Sequence, residues 1–179
     1  MTRIKSSEMS PIQRRGRNSK HRGYTTEKQL ERLLNENNIP SERVRMSGAL
    51  KDIGIDKLRG DVILHCGKKD IRIEVKSRQK LPAYVVGMRH NKPWRVKNIE
   101  HLCYILTQDE FLTLCKEGTL PQEGVKINAT RCNTLVKWFN QDESDIVAMK
   151  EFNKRQFYFA VKYKTALKIG GKFNDNDCD

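Results

Sequence analysis

No apolar run in the sequence approaches the length of roughly 18 residues that a membrane-spanning helix needs. The basic N-terminal stretch has no hydrophobic segment either, so neither a spanning helix nor a secretory signal is expected. Acidic residues are also scarce: 22 Asp and Glu stand against 35 Lys and Arg, giving a net charge of +13 and a pI near 9.7. A surplus of that size repels itself unless a polyanion neutralises it, which points to nucleic acid as the partner. It does not separate an enzyme from a packaging or ribosomal protein. The five cysteines (Cys66, Cys103, Cys115, Cys132 and Cys178) are odd in number and never spaced C-x-x-C, as expected of reduced thiols in a cytoplasmic protein. A zinc site built from His101, Cys103, Cys115 and Cys132 is disfavoured, because close ligand pairs are missing and these residues fall among apolar positions.

The 179 residues suffice for one domain with a real core. Within them, Ile71, Ile73 and Val75 alternate with Arg72, Glu74 and Lys76, the period-two pattern of a strand with one apolar face. Gly67 lies in a polar turn between that strand and Asp61 to His65, so the two runs predict a hairpin. Glu74 and Lys76 then share one side of the sheet, and Asp61 at the far end of the partner strand can reach it. Two carboxylates and an ammonium at the mouth of a hairpin match the needs of metal-assisted phosphodiester hydrolysis: the acids hold a hard cation and the lysine orients water. The ordinary alternative is a solvated strand face carrying a weak salt bridge.

Upstream, residues 1–22 carry Arg3, Lys5, Arg14, Arg15, Arg17, Lys20 and Arg22 against the single acid Glu8, and read as a disordered basic arm that grips phosphates, the alternative being a solubilising tail. A first helix is expected over Thr26 to Asn38, with Thr26 and Gln29 in a capping-box pattern and Leu30, Leu33 and Leu34 at helical spacing. Glu27 falls on the same side as Leu30 and Leu34. A carboxylate in a buried stripe is costly without a partner, and a metal would supply one; the alternative is that Glu27 complements the helix dipole. Ser41 to Met46 reads as a short strand, followed by a loop from Gly48 to Gly60 whose Lys51 and other cations suit a place near phosphate.

Arg22-Gly23 followed by Glu27, then Arg45-Met46-Ser47-Gly48, Gly60-Asp61, Ile73-Glu74-Val75-Lys76 and Tyr84, in this order and spacing, resemble the archaeal Holliday junction resolvases of the PD-(D/E)xK, restriction-endonuclease-like superfamily. The likeness covers roughly residues 22–86. It implies an α/β fold, a mixed central sheet flanked by helices. It also implies Glu27, Asp61 and Glu74 as metal-binding acids, joined by the Val75 carbonyl, and Lys76 as the catalytic lysine. Magnesium is the implied cofactor, with manganese as substitute. Arg45 matches a basic residue important for cleavage, and Ser47 falls near the family's mobile serine-bearing loop. Gly60 stands in place of the motif's proline, and Lys28 where the family usually has arginine. Candidate DNA contacts are therefore Arg14, Arg15, Arg17, Arg22, Lys28, Arg45, Ser47, Lys51, Arg78, Tyr84, Lys92 and Arg95.

Beyond Tyr84, Arg89 to Arg95 mixes cations with Trp94 and suits contact with backbone or an exposed base, or else is a polar loop with one packed Trp. Leu102 to Leu106 predicts a strand, Asp109 to Cys115 a helix, and Glu117 to Asn128 a linker. Asn133 to Asn140 predicts a helix, with strands over Ile146 to Met149 and Phe157 to Tyr163. This tail looks like that of small phage-encoded nucleases of the same superfamily, which makes roughly Arg78 to Cys132 an inserted or elaborated segment of a single nuclease domain over 23–170. Residues 171–179 read as an acidic flexible tail. The leading expectation is a magnesium-dependent, structure-selective DNA endonuclease: a Holliday junction resolvase working as a homodimer. The competitors are a phage or mobile-element nuclease for duplex ends, flaps or specific sites, and a non-catalytic basic nucleic-acid-binding protein. No membrane partner is expected.

Overall fold

The computed structural model describes residues 10–44, 60–66, 69–86, 102–120, 125–128, 132–141 and 143–171. Among them the chain forms α1 (Pro11–Glu36), β1 (Ser41–Arg43), β2 (Val62–Cys66), β3 (Lys69–Arg78), α2 (Ala83–Val86), β4 (Leu102–Thr107), α3 (Gln108–Glu117), β5 (Val125–Asn128), α4 (Asn133–Gln141), β6 (Ile146–Glu151), β7 (Phe157–Lys162) and α5 (Tyr163–Ile169). The strands make one seven-stranded mixed sheet in the order β1-β2-β3-β6-β7-β4-β5. Only β3 and β6 run parallel; every other neighbouring pair is antiparallel. The expected α/β class, a mixed sheet flanked by helices, is what the chain forms. No helix among the described residues is long and apolar enough to cross a membrane.

Strand alternation sorts the core into two layers. Ile71, Ile73 and Val75 of β3, with Ile146 and Ala148 of β6, meet Leu30 and Leu34 of α1, Phe111 and Leu114 of α3, and Ala166 and Ile169 of α5. Phe111 stacks on Phe159 with ring centroids 3.9 Å apart. On the opposite face Val147, Met149 and Ala160 meet Val85 of α2 and Leu135, Trp138 and Phe139 of α4. Covered on both sides, β4 and β6 read as continuous apolar runs rather than alternating ones. Each fully buried Leu contributes about 1.5–3 kcal/mol, so Leu30 and Leu34 are what pin α1 to the sheet.

Several expectations need correction. The basic segment expected to be a disordered arm is, from Pro11 onward, the first half of α1. Ser10 caps it: its hydroxyl accepts from Gln13 N at 3.3 Å while the Gln13 side chain accepts from Ser10 N at 3.0 Å. Pro11 occupies the first turn, where its missing N–H costs nothing. The helix expected to begin at Thr26 therefore begins at Pro11. Thr26 is interior, its hydroxyl donating to Arg22 O at 2.8 Å rather than capping. The stretch expected as a linker holds β5, paired with β4 at the sheet edge. Tyr163, expected to end a strand, opens α5. The described part of the Ser41 to Met46 strand ends at Arg43. The segment between α2 and α4 adds β4, α3 and β5, and the sheet order sets these two strands beyond β7, leaving β3 directly beside β6.

Candidate active site

The expected hairpin forms, with Val62 opposite Ile73 as its last ladder pair. Beyond that pair β3 continues, its residues from Glu74 to Arg78 bonded to β6 on one side, Glu74 opposite Val147 and Arg78 opposite Glu151. Asp61 fills the space that a longer β2 would occupy. Its N–H donates to Ile73 O at 3.0 Å, its carbonyl accepts from Val44 N at 3.0 Å, and its carboxylate Oδ2 accepts from Val75 N at 2.8 Å. Gly60 just before it has φ +86°, and an added Cβ would lie 3.5 Å from the Ile73 carbonyl oxygen. A proline, locked at φ of about −65°, does not fit this turn, which accounts for the glycine at that position.

Glu74 and Lys76 lie on the α4 side of β3. Glu74 is 2% exposed, its carboxylate Oε1 is ion-paired with the Lys76 ammonium, and Lys76 also donates to Gln141 Oε1 at 2.9 Å. Glu27 approaches from α1. Its Oε2 faces Arg43 Nη1 at 3.5 Å, and the Arg43 guanidinium sits 4.3 Å above the Tyr24 ring. Burial pushes the Glu27 carboxyl up, and the Asp61 carboxylate adds to the rise; Arg43 and Lys76 pull it down. The open end of β3 thus collects Glu27, Asp61, Glu74 and Lys76 from three separate chain segments.

Does this donor set suit a hard divalent cation? The oxygen chemistry is right, and the repulsion between Glu27 and Asp61 marks a place where positive charge is favourable. Among the described residues no three His, Cys, Asp or Glu side chains close around a common point, since Glu74 is turned to Lys76 and Glu27 to Arg43. The residues fit such an ion in kind, with Lys76 and Arg43 holding two of the acids.

A groove leads to this cluster, walled by Arg15, Ser19 and Arg22 of α1, Lys76 and Ser77 of β3, and Phe152. The Arg22 guanidinium lies 4.7 Å over the Phe152 ring. Arg14, Arg17 and Lys28 are exposed along α1. Arg78 ends β3 with its guanidinium 5.6 Å from the Trp138 ring, and Tyr84 packs against the α4-side core. Arg45, Ser47, Lys51, Lys92 and Arg95 lie outside the described residues. Sequence reasoning passed over Arg43 and Gln141. Arg43 stands two residues before Arg45 in the stretch expected as a strand, a signal that could have found it; Gln141 carries none, because its approach depends on α4 docking beside β3.

No family model matches the chain, and no curated protein sequence matches it. Among solved structures the chain is similar to Archaeoglobus fulgidus Hjc, a Holliday junction resolvase from an archaeal hyperthermophile. The identity is 17%, over 83% of this chain and 98% of that one, with a TM-score of 0.33. Backbones that diverge this far leave the functional reading to the side chains described above.

Proposed function

We propose that this chain is a metal-dependent DNA endonuclease selective for branched DNA, with a restriction-endonuclease-like core, and specifically a Holliday junction resolvase acting as a homodimer. The observation that carries the reading is the convergence of Glu27 and Asp61 at the open end of β3, within the field of the Lys76 ammonium. Glu27, Asp61, Glu74 and the Val75 carbonyl would hold Mg2+ or Mn2+, which when bound supplies Lewis-acid polarisation of the scissile phosphate. Lys76 hydrogen-bonds and orients the attacking water. Arg15 and Arg22 draw the strand into the groove by its phosphates, a grip that is indifferent to base sequence. Two-fold symmetry is the reason for a dimer, because paired cuts across a junction need paired sites.

The test offers labelled four-way junctions, nicked duplex, flaps and linear duplex of matched length, with magnesium or manganese and with chelator, while light scattering reports mass. Paired, symmetry-related nicks near the junction centre, made by a dimer and absent in chelator, are the expected result. Undiminished cutting in chelator removes the metal chemistry. A monomer that digests ends or linear duplex equally well keeps the nuclease and overturns the resolvase.

A further inference from the structure

Lys150 lies on β6, on the α1 side of the sheet, and is only 9% exposed. Its ammonium donates to the Gln29 side-chain oxygen and stands 5.2 Å from the centre of the Phe157 ring. Both contacts are neutral, and among the described residues no carboxylate is paired with it. The adjoining Glu151 accepts from Leu81 N at 3.0 Å instead. Burial pushes the Lys150 pKa down. An ammonium sheltered this way, with no opposite charge paired to it among the described residues, gives up hydration without recompense, and a position that needed only packing would be better filled by leucine or methionine. Such a site calls for an anion from outside.

The surroundings are built to admit one. Lys150 lines an open groove between α1 and the β6–β7 turn, with Arg22, Ser77, Phe152, Lys154 and one acid, Glu151, around it. Arg22, Ser77 and Phe152 also wall the groove that ends at Lys76, so the two adjoin at the Arg22–Phe152 contact. In the parallel ladder Lys150 is paired with Ser77, the residue after Lys76. One step along a strand and one strand across place its backbone about 6 Å from that of Lys76, although the two side chains leave opposite faces of the sheet.

We propose that Lys150, with Arg22 and Lys154 at the rim, seats a backbone phosphodiester of the nucleic-acid strand in a groove that adjoins the one ending at Lys76. The course of the strand rests on the nuclease reading; the seat itself rests on an ammonium that meets only neutral partners among the described residues and on the open groove it shares with Arg22 and Lys154. Binding of a fluorescent duplex is measured in chelator across a salt series for the wild type, Lys150→Met, Lys150→Arg and the control Lys168→Met on α5. Lys150→Met should bind more weakly and lower the log-log salt slope by about 0.9, one phosphate contact, while Lys150→Arg and Lys168→Met keep the wild-type slope. Thermal melts should find Lys150→Met no less stable than the wild type; should it not fold, Lys150→Gln gives the same readout. An unchanged slope in the folded variant overturns the phosphate seat. Cleavage by the wild type in magnesium is read separately: cutting with an unchanged slope overturns the seat alone, and a lowered slope in a protein that cuts nothing supports the seat and overturns the nuclease.

Discussion

Replacing Lys76 by methionine tests the centre of the site through both stability and chemistry. Lys76 and Glu74 have side chains 14% and 2% exposed, so their pairing is sheltered from solvent and salt. Methionine fills most of the volume but leaves the Glu74 carboxylate buried without the ammonium, and breaking a buried pair from one side costs about 3–5 kcal/mol. For a domain of this size each kcal/mol lowers Tm by about 2–4 °C, so the melt should fall by roughly 6–20 °C. Adding Glu74→Gln removes the stranded charge and should recover most of the loss. The cycle should then show a coupling energy in the upper half of the roughly 0.5–3 kcal/mol seen for residues in contact. Urea unfolding followed by circular dichroism, in chelator so that no ion substitutes for the lysine, supplies the four free energies. Lys76→Met should also lose at least about two orders of magnitude in cleavage rate while binding DNA nearly as well, one cation among 35 being a small part of the electrostatic grip. An additive cycle would refute the reasoning, because Glu74 would then be stabilised independently of Lys76.

Two other changes probe α1. Because burial and Asp61 hold the Glu27 proton to a higher pH than in the unfolded chain, folding takes up protons above the ordinary value of 4.5, and stability falls as pH rises through the raised folded pKa. Glu27→Gln removes that penalty, so it should abolish cleavage yet melt at or above the wild type at neutral pH, the advantage vanishing in acid; a variant less stable at neutral pH and equal in acid would reverse the sign. Gly16 is exposed within α1 with open space where a Cβ would stand, so Gly16→Ala should leave the circular-dichroism helix signal unchanged while strengthening amide-exchange protection around it by about 0.5–1 kcal/mol. A large gain in helix signal, with amides of residues 11–22 unprotected in the wild type, would return the segment to the status of a disordered arm.

The hairpin was legible because its signal is local: alternation over Ile71 to Lys76 and a turn at Gly67 specify both the pairing and the side on which Glu74 and Lys76 emerge. Glu27 was legible as an anomaly, a carboxylate placed by helical periodicity beside Leu30 and Leu34. The first half of α1 was not, because it has no apolar stripe; Gln13, Arg14, Arg15 and Arg17 are good helix formers, but periodicity does not see propensity. Its helix is secured by the Ser10 cap at one end and the buried Leu30 and Leu34 at the other, and the second of these is a tertiary fact. Gln141 and Lys150 were hidden for the same reason, since each meets its partner across more than sixty residues of sequence, Gln141 with Lys76 and Lys150 with Gln29.

The helical state of the basic segment changes what its cations can do. A flexible arm adapts to any polyanion but loses about 1–2 kcal/mol of backbone freedom for each residue it orders on binding. A helix has already lost that freedom and holds its charges at fixed positions. Over Pro11–Glu36, at a rise of about 1.5 Å per residue, α1 is a rod roughly 39 Å long that carries the groove at one end and Glu27 beyond its middle. Arg15, Asn18, Ser19 and Arg22 recur at the spacing of one helix face and line the groove, with Arg22 held against Phe152. Phosphates that meet this row must match its geometry to be bound together. On the proposed resolvase reading, selection would fall on the path of the backbone, which differs between a branch and a straight duplex, rather than on the bases.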